Sequence, residues 1–157
     1  MKYTRLTKEQ FESLHQEFIN FLASQSIDKI EWDQIKQDKP NVAEQELDVF
    51  SDLIWEGVLS QAKYLEHFSK SHGFLFFCDQ THMHSIILRC LDDKVDLLTI
   101  EGMKYLGDNL FTDAIEMRIG NKPFGEDRNL DIFKLIEQGA ILSDGRFYQE
   151  LQKIIDN

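Results

Sequence analysis

Proline and cysteine are nearly missing from this sequence: it has 2 of each among 157 residues, with 8 glycines. So little proline and glycine excludes collagen-like and low-complexity chains. So little cysteine excludes a disulfide scaffold, and none is needed, because a domain of this length buries about two-thirds of its unfolded surface. Positive charge is scarce as well: 17 Lys and Arg against 28 Asp and Glu leave a formal charge of −11. With no basic run to neutralise phosphates, a nucleic-acid partner is disfavoured, and so is an anionic membrane surface. No apolar run approaches the roughly 20 residues of a membrane helix. The opening Met1-Lys2-Tyr3-Thr4-Arg5-Leu6-Thr7 has no apolar stretch, so no signal peptide is expected. Two cysteines without a secretion signal read as reduced thiols, and the expected location is the cytoplasm. Familiar catalytic signatures are absent too: Gly-x-Ser-x-Gly, a phosphate-cradling glycine loop, Cys-x-x-Cys, His-Glu-x-x-His and the EF-hand loop. No Ser-His-Asp or Cys-His nucleophile pattern can be assembled from the spacing.

What is there suits a soluble core. Apolar residues make up 42%, with 12 Phe, and the length predicts one α+β domain over residues 1–157. Thr7-Lys8-Glu9-Gln10 is a capping box. Phe11, Leu14, Phe18, Phe21 and Leu22 then form one stripe on a helix over about 8–25. Ser26 is the expected next N-cap, for a short helix ending near Gln37, before Lys39-Pro40. Pro40 opens a third helix, apolar over so much of its circumference (Leu47, Phe50, Leu53, Ile54, Trp55, Val58, Leu59) that a central position with Trp55 in the core is expected. Gly57 inside it implies a close crossing or a nearby helix end. The middle changes period. Lys63–Phe68, Phe74–Cys78 and His82–Leu91 read as an antiparallel meander, with Val95–Leu98 as a fourth strand. Thr99 caps a short helix, Ala114–Ile119 alternates as a strand broken at Gly120-Asn121-Lys122-Pro123, and two helices close the chain, over about 128–138 and after Asp144. The fold class is therefore a helical N-terminal third, a central antiparallel meander, and two C-terminal helices packed on the sheet.

The strongest chemical candidate is Cys78, His82 and His84. If residues 79–81 form the turn, Cys78 faces His82 and Phe76 faces His84. A thiolate and two imidazoles would then converge as a Zn²⁺ site, with Asp79 or water as fourth ligand. The alternative is a hairpin end whose histidines rim a core of Phe74, Ile86 and Leu88. In the same register Cys90 lies about 26 Å from Cys78, too far for a disulfide. The second candidate is an interaction patch. Glu44, Asp48, Asp52 and Glu56 fall at i, i+4, i+8 and i+12, a row of like charges that a basic protein partner would relieve; a solvated outer face is the plainer explanation. Glu126-Asp127 with Asp131, and Asp92-Asp93 with Asp96, are weaker cation sites, because acids at turns and helix starts are usually solvated. The last two helices outline a helix-turn-helix around Gly139, but the second lacks a basic surround.

The opening Lys2-Tyr3-Thr4-Arg5-Leu6-Thr7-Lys8-Glu9-Gln10-Phe11, Phe18-Ile19-Asn20-Phe21-Leu22, Trp55-Glu56-Gly57-Val58-Leu59 and Ile136-Glu137-Gln138-Gly139-Ala140 resemble an uncharacterised family of small bacterial proteins. The resemblance spans most of the chain. It implies a bacterial cytosolic protein and carries no activity, fold or site. The expected function is thus a non-catalytic protein-interaction or regulatory module, with a homodimer as one form of partnership. The rival is a zinc-binding protein or metalloenzyme using Cys78, His82 and His84. The third reading is a nucleic-acid-associated factor using the C-terminal helix pair.

Overall fold

The computed structural model describes residues 1–157. The chain forms two compact units, Met1–Ser60 and Gln61–Asn157. In the first, Thr7 closes its capping box on Gln10 and starts α1 (Lys8–Ser13). The apolar stripe does not lie on one helix: Leu14 leaves helical geometry at φ −105°, ψ 25°, and α2 (His15–Ser24) follows. Ser26 is not the next cap. It sits at φ 61°, in the left-handed region that ends α2, and Asp28 caps α3 (Lys29–Asp38) by accepting the Glu31 N–H. Pro40 opens α4 (Pro40–Gln61), which continues past Gly57. A methyl group on Gly57 would meet nothing within 4 Å, so neither a close crossing nor a helix end accounts for this glycine.

The N-terminal unit is organised around Phe50, whose ring lies 5.0 Å from Phe18, 5.4 Å from Phe21 and 5.9 Å from Phe11. Phe18 meets Trp32 of α3 edge-on at 5.4 Å, a favoured geometry for aromatic quadrupoles. Helix α4 is only partly central. Phe50, Ser51, Ala43 and Leu59 are buried and Trp55 is half-buried, but Val49 and Leu53 are 56% and 57% exposed.

The second unit is built on a five-stranded, wholly antiparallel sheet in the order β4-β3-β2-β1-β5. Its strands are β1 (Tyr64–Phe68), β2 (His72–Cys78), β3 (His82–Cys90), β4 (Ile115–Pro123) and β5 (Ile141–Ser143). The meander stands as expected; Val95–Leu98 does not join it and leads instead into α5 (Ile100–Asn109), capped by Thr99. Strand β4 runs on through Gly120 to Pro123, which a strand at the sheet edge tolerates because its outer side needs no ladder donors. Helices α6 (Arg128–Glu137) and α7 (Arg146–Ile155) close the chain. Strand β5 lies between them, paired with β1, so they are not a helix-turn-helix. One sheet face buries Leu75, Ile86, Leu88, Cys90 and Ile115 with Leu106 of α5 and Tyr148 and Leu151 of α7. Gly145 precedes α7 at φ 78°, where a Cβ would fall 2.4 Å from the Tyr64 ring; only glycine lets the chain enter α7 this close to β1.

Candidate functional site

The hairpin between β2 and β3 decides the first candidate. Asp79 N–H donates to the His82 carbonyl at 3.0 Å, and Cys78 pairs with Met83, Phe77 with His84. The loop is therefore the two residues Gln80-Thr81, one fewer than the spacing predicts, and that single residue turns every β3 side chain to the other face. Leu75, not Phe74, shares the core face with Ile86 and Leu88. His82 and His84 stay together, ring centroids 6.3 Å apart, but Cys78 points to the opposite face beside Met83 and is 1% exposed. Burial pushes its thiol up to about 11, with Arg128 pulling the other way. The same burial disfavours the thiolate form. No three His, Cys, Asp or Glu side chains converge as a metal-holding group, and both cysteines are free thiols.

Asp79 is the centre of what does form. Its carboxylate accepts the Thr81 N–H at 2.7 Å, the His82 N–H at 2.6 Å and His84 Nε2 at 2.9 Å. The bond from His84, followed by those backbone donors, holds its carboxyl far below the ordinary carboxylate range. Arg128, at the start of α6, clamps the same corner. Its Nε donates to the Asp79 carbonyl at 2.9 Å and its Nη2 to the Ala62 carbonyl at 2.7 Å. On the other side of His84, Tyr64, Phe77 and Tyr148 line a cleft of about 640 Å³ with Gln149, Lys153 and Asp156 of α7. The three ring centroids lie 5.1–5.9 Å apart, so the rings form one continuous aromatic wall of the cleft.

The acidic row on α4 does line up, and the partner that relieves it is the chain's own N-terminal segment. Arg5 Nε meets Asp48 at 2.7 Å, and Arg5 Nη1 also pairs with Glu44. The Asp52 carboxylate accepts the Lys2 and Tyr3 backbone N–H groups at 2.8 and 2.9 Å. Glu56 takes Lys2 Nζ at 3.3 Å and the Tyr3 hydroxyl. The segment is fastened further by Ser51, whose buried Oγ accepts the Leu6 N–H at 3.0 Å and donates to the Leu47 carbonyl at 2.7 Å. The weaker acid groups serve local turns: Asp127 caps α6, Asp131 accepts the Gly125 N–H, Asp92 the Lys94 N–H, and Asp96 the Leu98 N–H.

A second concavity has no counterpart in the sequence reading. It is a groove of about 950 Å³ in the N-terminal unit, between α1–α2 and α3, with Leu47 of α4 at its base. Phe11, Phe18, Ile19, Leu22, Ile27 and Trp32 make its walls, and charged side chains stand at its mouth. The helical stripe that reads as core is the signal that could have found it. Phe11, Phe18 and Phe21 remain half-buried and Ile19 is 43% exposed, because α3 covers the stripe only in part.

Comparison with known proteins adds no activity to this geometry. No curated protein and no solved structure matches the chain. A family model matches residues 1–156, in keeping with the resemblance to an uncharacterised family. The chain belongs to the family of unknown function DUF6495.

Proposed function

We propose that the protein is a non-catalytic binding module whose N-terminal unit receives a small apolar molecule. The groove of about 950 Å³ carries this reading. Small-molecule sites are concave, of about 300–1,000 Å³, mostly apolar, with a few polar groups that orient the ligand. A protein partner asks for something different, about 800 Å² of surface on each side. The acidic row offers little to a basic partner, since Lys2, Tyr3 and Arg5 already engage it. A non-catalytic role for the groove is supported by where the histidine contacts fall: Ser71 with His72 and Thr81 with His82, each at 2.8 Å, join sequence neighbours at hairpin turns, His84 bonds to Asp79, and none of these residues lines the groove.

The test is calorimetric titration of the full chain with 1-decanol, a neutral alkyl probe. One molecule should bind per chain, and Ile19→Glu, which puts a charge into the wall at an exposed position, should abolish binding with the helical circular dichroism unchanged. Trp32 stands in the same wall, so its emission should shift on binding. The reading fails if decanol does not saturate at one per chain, or if the folded Ile19→Glu variant binds as well as the parent.

A further inference from the structure

The mouth of the groove selects a head group. We infer that its ligand is an amphiphile with a single anionic head, an alkyl-chain carboxylate; this rests on the groove being a ligand site. Six formal charges surround the opening, Lys8, Lys29 and Lys36 against Glu12, Asp28 and Asp33. That balance of 3 − 3 = 0 stands in a chain whose net charge is −11. Two of the acids are occupied: Asp33 pairs with Lys36 at 3.3 Å, and Asp28 accepts the Glu31 N–H at 2.8 Å as the cap of α3. Lys8 and Lys29 meet no carboxylate and are exposed. Asp28 keeps its charge as a cap, so Glu12 and Asp28 stand opposite Lys8 and Lys29, but neither carboxylate forms an ion pair with either ammonium. Two unpaired ammonium groups at the edge of an aromatic and aliphatic wall suit one carboxylate, with its two oxygens, on a hydrocarbon tail. A nucleotide would bring several negative charges and little hydrocarbon, matching neither the walls nor the charge. A cationic amphiphile would meet the two lysines head-on.

Calorimetry of the full chain with decanoate, 1-decanol and decylamine, each below its aggregation concentration, separates the possibilities. Decanoate should bind one per chain about tenfold more tightly than decanol, the sum expected of two partly exposed ion pairs, and decylamine should bind more weakly than decanol. The double variant Lys8→Gln, Lys29→Gln should remove the decanoate advantage and leave decanol affinity unchanged, which also shows that its groove is intact. Equal affinity for decanoate and decanol, or a decanoate advantage that survives the double variant, overturns the anionic-head inference and leaves the apolar groove standing. Binding of none of the three overturns both.

Discussion

Phe50 is 1% exposed and lies against the rings of Phe11, Phe18 and Phe21, so it has no way to be replaced without a cavity. Phe50→Ala should cost about 3–5 kcal/mol in denaturant melts. Trp55→Ala, at a half-buried position, should cost clearly less; the reverse order would mean that the anchor of the N-terminal unit has been misplaced. Asp79 makes the second residue-scale prediction. Its carboxyl is held far below the ordinary range in the folded protein, so on acidification the unfolded chain takes up this proton first. The stability it contributes is therefore complete above the ordinary carboxylate range and is lost as pH falls through and below it. The difference in unfolding free energy between the parent and Asp79→Ala should shrink as pH falls below about 4. A difference that grew below about pH 4 would contradict the assignment.

At the scale of elements, α4 carries a glycine with no structural duty. Gly57 is helical, is not at positive φ, and has open space where a Cβ would stand. Gly57→Ala should stabilise the protein by about 0.5–1 kcal/mol, by propensity and by the entropy of the unfolded chain; a loss of thermal stability would show an unseen neighbour. The β2–β3 hairpin shows how much depends on one loop residue. Asp79 accepts the Thr81 and His82 N–H groups, which draws the turn down to Gln80-Thr81 and sets the register. A three-residue loop at the same place would put Cys78 beside His82 and assemble the cluster that the actual turn takes apart.

On the scale of the whole molecule, charge governs behaviour. With 28 acids, 17 strong bases and a pI near 4.8, solubility should pass through a minimum near that pH and rise on both sides, measurable by turbidity across a pH series; a minimum near neutrality would show that the surface potential is not set by the composition. No helix is long and apolar enough to cross a membrane, as the sequence predicts. Chemistry written in short stretches was legible from the residues alone. The capping box at Thr7, the Thr99 cap, the Pro40 start, the Gly139 stop and the alternation at the start of β4 need only neighbours a few positions away. The three-residue β5 was not legible, because its pairing with β1 comes from far along the chain. Sequence by itself thus determined the helical start, the antiparallel meander, the two closing helices and the acidic character, since propensity, capping and net charge are local or additive. Tertiary structure alone decided which face Cys78 takes, what relieves the acidic row and where a cavity stays open. Register turns on a single loop residue, ion partners here lie 43 and 54 positions apart, and a groove exists only where one helix fails to cover another.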